Sequence, residues 1–209
     1  MTRGTRWIVA TAAIIFLIAA APRTQVETLR GHIGIEYVRG YTMGTGPIAL
    51  IELGDFESPY CGRFHANTFP IVEKDLIESN AITFSFVDYP LATHPQARLA
   101  ADIATCASQI DLYWKAHNLL FDAFLTKTFS GPTVVDALKP RRRDQFLECV
   151  EHAEPFRDSR GPQLAKLVGL WGTPTFVIGT IGVDGVDVKF KINGSVDAAK
   201  LEKVIADAR

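Results

Sequence analysis

An apolar run, Pro47-Ile-Ala-Leu-Ile-Glu-Leu-Gly54, passes through Asp55-Phe56-Glu57 into Ser58-Pro59-Tyr60-Cys61 and a helical stretch ending near Ser79. The run has the length and composition of a strand buried on both faces. Ser-Pro is a helix start, with serine placed to cap and proline in the first turn. A buried strand feeding directly into a helix asks for a layered α/β packing. A C-P-Y-C sequence at such a turn reads as a dithiol redox site. Here the first of the two cysteines is Ser58, and oxygen stands where sulfur is expected.

The 209 residues are 47% hydrophobic with a net charge of −1, enough for one well-buried globular domain. The charge balance gives no footing for nucleic acid. Arg141-Arg142-Arg143 is the only basic cluster, and it reads as a solvated helix start after Pro140. Arg3 and Arg6 precede an uncharged apolar run, Trp7 to Ala21. That run is shorter than the ~20 residues of a bilayer span and matches a signal-peptide core. Ala19-Ala20-Ala21 offers a cleavage site, but Pro22 after it hinders the peptidase. Residues 1–21 therefore read as a signal peptide or a retained N-terminal membrane anchor, 22–46 as an N-terminal extension and 47–209 as the folded domain. The destination is periplasmic or otherwise extracytoplasmic, with membrane contact only through the N-terminal segment.

Three cysteines, Cys61, Cys106 and Cys149, leave an odd thiol. The simplest partition pairs Cys106 with Cys149 and leaves Cys61 free. The alternative is two buried unpaired cysteines acting as small apolar residues. Export favours the bridge, because disulfides persist outside the cytoplasm.

The elements expected after Pro47 follow from periodicity and breakers. Pro47–Leu53 is a strand, Pro59–Ser79 a helix interrupted at Pro70, and Ala81–Val87 a strand of period two. A helical block runs from Pro95 to about Leu170, with helices over Gln96–Gln109 and Arg143–His152. It is broken at Ser130-Gly-Pro132, Pro140 and Gly161-Pro162. Thr175–Ile178 and Val186–Ile192 are strands, and Ser195 is placed to cap a last helix, Val196–Ala208. Residues 24–46 are weakly patterned, with one short strand expected near Ile35–Val38.

At a helix N-terminus, unpaired N–H groups and the dipole favour negative charge, so a cysteine there ionises and attacks. Ser58 holds that attacking position and can neither ionise readily nor form a disulfide. Cys61 holds the resolving position one turn inward, where a thiol is more shielded and less ionised. A dithiol–disulfide cycle within S-P-Y-C is chemically excluded.

Five segments together resemble the DsbA-like branch of the thioredoxin superfamily. They are Gly54-Asp-Phe-Glu-Ser-Pro-Tyr-Cys-Gly-Arg-Phe-His65, Asp88-Tyr-Pro-Leu-Ala-Thr-His-Pro-Gln-Ala97, Ala104-Thr-Cys-Ala107 with Tyr113-Trp-Lys-Ala-His-Asn-Leu-Leu-Phe121, Gln145-Phe-Leu-Glu-Cys-Val150, and Gly169-Leu-Trp-Gly-Thr-Pro-Thr-Phe176. The resemblance implies an α/β thioredoxin fold with an all-helical insertion, about residues 94–170, between the second and third core strands. It implies a cis Thr173–Pro174 bond beside the active-site turn, in a loop that offers backbone to substrate peptide. It makes Cys61 and Ser58 the catalytic positions and Pro59, Tyr60, Thr173 and Pro174 the substrate-binding ones. Some members carry a disulfide in the insertion, which favours Cys106–Cys149. The expected partners are thiol-containing or unfolded client proteins, with no cofactor.

Three functions remain open at the level of sequence. The first is thiol-disulfide handling through Cys61 alone. The second is a non-enzymatic peptide-binding or accessory module on the same fold. In the third, Ser-Pro-Tyr resembles the turn of kappa-class glutathione transferases, where a serine hydroxyl stabilises the glutathione thiolate, which would make glutathione the partner. Cys61 and His65, four apart on a helix, are too few for a structural zinc site, so no metal is expected. His94 and His117 read as packing or capping residues, Trp114 and Trp171 as core. Asp55 and Glu57 read as solvated charges at the strand end, or else as a proton acceptor near Cys61.

Overall fold

In the computed structural model, strand β3 (Ile48–Gly54) lies at the centre of a six-stranded sheet. The structure describes residues 24–39, 41–154 and 157–209, and the expected signal or anchor segment 1–21 lies outside them. β3 pairs in parallel with β4 (Ile82–Asp88) and antiparallel with β5 (Thr175–Ile181). β5 continues antiparallel to β6 (Gly185–Asn193). All seven residues of β3 and of β4 are buried, as expected of strands covered on both faces.

The two-residue period sorts β3 between two layers. Ile48 and Leu50 face the larger hydrophobic cluster, with Phe64, Phe84, Phe86, Phe176 and Leu201. Ala49, Ile51 and Leu53 face the smaller one, with Leu164, Ala165 and Val168 of helix α7 (Arg160–Val168). Glu52 shares the parity of Ile48 and Leu50, so its carboxyl enters the larger core.

Segment 24–46 forms two strands of this sheet. β1 (Gln25–Gly34) adds antiparallel to β6 at one edge, and β2 (Thr42–Met43) adds to β4 at the other, giving the order β1-β6-β5-β3-β4-β2. Ile35–Val38, expected as a strand, is a 3-10 turn between them. Its buried Tyr37 and Val38 dock on the smaller core. Arg160 Nη1 ties the segment down by donating to the carbonyl oxygens of Glu36 (2.6 Å) and Arg39 (2.8 Å). Polar β1 residues gave no apolar alternation because their partner strand, not a core, holds them.

The helix after the turn is broken as Pro70 requires. Helix α1 (Pro59–Asn67) stops at Thr68, helix α2 (Phe69–Val72) restarts with Pro70 in its first turn, and a π-helical turn (Glu73–Ile77) follows. The insertion between β4 and β5 comprises α3 (Ala97–Ser108), α4 (Tyr113–Leu125), α5 (Gly131–Leu138), α6 (Arg143–Glu151) and α7. Helix α8 (Ala198–Asp207) is capped by Asp197, whose Oδ1 accepts from Lys200 N–H at 2.8 Å. Ser195, the cap expected from sequence, instead offers its carbonyl oxygen to the Thr24 hydroxyl at 2.6 Å.

Cys106 of α3 and Cys149 of α6 form a disulfide, with Cα atoms 5.9 Å apart. Cys61 is free and buried. Closing a 43-residue separation removes chain entropy worth about 4 kcal/mol from the unfolded state. Denatured, non-reduced protein is therefore expected to show one titratable thiol and reduced protein three. Replacing Cys106 and Cys149 together with alanine should lower the urea midpoint, and an unchanged midpoint would refute the entropic role.

Candidate functional site

Ser58 caps α1, as its sequence position dictates. Its backbone is extended, Pro59 occupies the first turn, and its Oγ accepts from Cys61 N–H at 3.5 Å. The same hydroxyl donates to the carbonyl oxygen of Thr173 at 3.1 Å. The Thr173–Pro174 bond is cis, and the Ser58 hydroxyl joins the turn after β3 to the loop before β5. Ser58 is 3% exposed and Cys61, one turn deeper, is 0% exposed.

Cys61 lies in a low-dielectric pocket. Asp55 N–H points at its Sγ from 3.5 Å. Burial and the nearby Glu52 push the thiol well above its ordinary range; the Asp55 N–H and the hydroxyls of Ser58 and Thr173 oppose them more weakly. The sulfur is consequently a protonated thiol at neutral pH, a poor nucleophile.

The buried acid of this site is Glu52, which sequence reasoning passed over. Burial holds its carboxyl well above the usual carboxylate range, opposed by the Cys61 thiol. Glu52 Oε2 lies 3.0 Å from His65 Nε2, and Oε1 has no hydrogen-bond partner. Burial pushes His65 down to about 3, so this pair is a neutral acid beside a neutral imidazole. The ring of His65 stacks on Phe121 at 4.0 Å and meets His117 edge-on at 4.7 Å. His117 packs in the same aromatic cluster, as its sequence setting suggested. A lone glutamate inside Ile-Ala-Leu-Ile-Glu-Leu was the available signal, since an unpaired acid in a doubly buried strand needs a partner.

Asp55 is neither solvated nor a partner of the thiol through its carboxylate. Its Oδ1 accepts from Glu57 N–H (2.8 Å), and its Oδ2 accepts from Leu91 N–H (2.8 Å) and lies 2.7 Å from His94 Nδ1. Glu57 Oε2 accepts from Gln96 N–H at 2.7 Å, just before α3. Both carboxylates fasten the turn to the loop after β4, a role invisible in sequence because the two segments are more than thirty residues apart.

An open cavity of about 770 Å³ lies over this turn, with Ser58, Pro59, Tyr60, His94, Trp171 and Thr173 in its wall. Trp171, expected in the core, is 77% exposed. Helix α7 ends on Gly169 at φ +60°, a left-handed conformation that suits glycine and turns the chain outward before Trp171. Tyr60 is 42% exposed, with the Arg63 guanidinium 5.2 Å from its ring centroid. Among the described residues no cluster of three or more metal-ligating side chains exists, and no helix is long and apolar enough to cross a membrane.

The two buried groups set opposite pH dependences. His65, lowered from 6.5, contributes stability that is full above pH 6.5 and is lost as pH falls toward 3. Glu52, raised, contributes stability present below the ordinary glutamate range and lost as pH rises through its folded value. Glu52→Gln should therefore stabilise the protein more at pH 8 than at pH 5 in urea unfolding. An equal effect at both values would show that Glu52 is not held protonated by burial.

A family model described as Thioredoxin matches residues 45–205. Among curated proteins, Na(+)/H(+) antiporter NhaA 3 of Salinispora tropica is 26% identical over 193 residues, 80% of this chain and 27% of that protein. Disulfide bond formation protein D of Bacillus subtilis is 30% identical over 79 residues, 36% of this chain and 35% of that protein. The chain thus spans about a quarter to a third of these relatives. Among solved structures, Wolbachia pipientis alpha-DsbA1 superposes with a TM-score of 0.61 at 18% identity, covering 81% of this chain and 90% of that one. BdbD from Bacillus subtilis gives 0.55 at 20%, covering 87% and 98%. With the family match running from before β3 to within α8 and these folds superposing on it, the chain belongs to the thioredoxin family and has the fold of the DsbA-type oxidoreductases.

Proposed function

We propose that this protein is an exported, DsbA-like client-binding module of thiol-disulfide handling, in which the dithiol step has been removed and the peptide-receiving surface kept. One contrast carries this reading. Cys61 is fully buried under a hydrogen-bonded Ser58, whereas Tyr60 and Trp171 stand exposed beside the cis-Pro174 loop. A buried protonated thiol is a poor redox group, and exposed aromatics beside a preformed cleft are what an unfolded segment binds.

Export rests on the Arg-flanked apolar run of residues 7–21, as a cleaved signal or retained anchor. The likeness to part of an antiporter supports a domain that works beside membrane proteins. A glutathione-transferase role needs the Ser58 hydroxyl as a donor to a thiolate. In this structure the hydroxyl donates to the Thr173 carbonyl oxygen rather than into the cavity, which favours the client-binding reading.

Two outcomes test the proposal. Ser58→Cys should restore dithiol chemistry, raising insulin reduction and dithiol-peptide oxidation at least about tenfold, because a cysteine at a helix N-terminus ionises. Equal turnover by the unaltered protein would refute the claim that Ser58 disables the cycle. Trp171→Ala should weaken binding of an unfolded, aromatic-rich peptide by about tenfold, as loss of an exposed aromatic anchor does. The melting temperature should stay unchanged, since the side chain is 77% exposed. Unchanged affinity would remove Trp171 from the binding surface.

A further inference from the structure

His94 is the one imidazole in the wall of the 770 Å³ cavity, and it is not free to turn. Its Nδ1 lies 2.7 Å from Oδ2 of Asp55, whose side chain is fully buried. Every other contact of that carboxylate is an N–H donor: Leu91 on Oδ2 and Glu57 on Oδ1. The carboxylate therefore acts as an acceptor throughout, and the shared proton belongs to His94 Nδ1. This assigns the tautomer. With the proton on Nδ1, Nε2 is the ring's remaining acceptor. The His94 side chain is 23% exposed, partly open to the solvent side.

The cleft also has the features that stabilise an anion. Ser58 and Pro59, at the positive end of the nine-residue helix α1, line it, as does Arg63. The other charged group in the wall is Asp197, whose Oδ1 already accepts from Lys200 N–H. The chain's own free thiol does not use this arrangement, because Cys61 is buried and absent from the cavity wall. A base and an anion-stabilising helix end therefore share one cleft, and among the described residues its wall holds no thiol for them to serve.

Resting on the client-binding reading, we propose that the Asp55–His94 pair is the proton acceptor for a cysteine thiol of the bound client. The client S–H bond breaks, its proton goes to His94 Nε2 and its electron pair stays on sulfur. The resulting imidazolium sits between the Asp55 carboxylate and the thiolate, and the thiolate faces the N-terminus of α1. Nothing is oxidised or reduced in this step. The client leaves the cleft as a thiolate, ready to attack a disulfide elsewhere. His94 thus supplies for an incoming thiol the activation that the S-P-Y-C turn denies to Cys61.

The test uses the full-length protein and two unstructured, aromatic-flanked decapeptides that differ only in one residue, cysteine or serine. Binding is followed by fluorescence anisotropy and thiolate formation by the difference absorbance near 240 nm, at pH 7. The expected result is a preference of about tenfold for the cysteine peptide, with a thiolate signal in its complex. In His94→Gln the ratio of cysteine-peptide to serine-peptide affinity should fall to about one, whatever the absolute affinities, and the thiolate signal should disappear. His94→Gln can still accept the client's hydrogen bond but cannot take its proton, so loss of the signal separates proton transfer from simple contact. Equal affinities for the two peptides, or a thiolate signal that survives His94→Gln, would overturn the assignment while leaving client binding intact. Failure of both peptides to bind would overturn the client-binding reading itself, and this proposal with it.

Discussion

The site depends on one buried carboxylate. Asp55 stands where β3 ends and α1 has not begun, and no regular ladder satisfies the backbone there. Its two oxygens collect the N–H of Glu57, the N–H of Leu91 and the imidazole of His94. The first bond shapes the turn that presents Ser58. The other two draw in the loop after β4, which carries His94 to the cavity. A buried carboxylate is tolerated only when such donors surround it, and here the donors belong to the two segments that the site must bring together. Charge-assisted bonds of this kind are the stronger ones, so the turn is held more firmly than its lack of regular structure suggests.

A few residues deeper the same problem is solved by neutrality. Glu52 is fully enclosed and the His65 side chain nearly so, and burial moves their proton affinities toward the uncharged forms. The pair sits among Phe69, Phe86 and Phe121, where an ion pair lacks the solvation that stabilises it. Cys61 shares this environment. Burial holds its thiol in the protonated form, because no group around it stabilises a thiolate strongly enough to offset the loss of solvent. In the S-P-Y-C turn the serine caps the helix and reaches the cis-proline loop, and its hydroxyl is too weak an acid to ionise there.

Legibility in the sequence followed the range of the forces involved. Strands β3, β4, β5 and β6 were readable because burial on both faces leaves continuous or alternating apolar runs. The break at Pro70 was readable because a missing N–H is a local fact. β1 was not, because Gln25–Gly34 is mostly exposed and is held by its pairing to β6, more than 150 residues away. Ser195 looked like the cap of α8, yet Asp197 caps it, since two polar candidates two residues apart are separated only by where the loop enters the helix. Trp171, expected in the core, is carried outward by the left-handed turn at Gly169.

The sequence by itself determined the family, the helix-start chemistry of Ser58-Pro59, the helical insertion and the loss of the dithiol. Each of these is written in a residue type and its near neighbours. The tertiary structure alone decided which side chains meet: Glu52 with His65 beneath Cys61, Asp55 with His94 at the cavity, and Ser58 with the Thr173 carbonyl. These contacts join residues 13, 39 and 115 positions apart. Hydrogen bonds act over about 3 Å, so no local pattern records them until the sheet has brought its strand ends together.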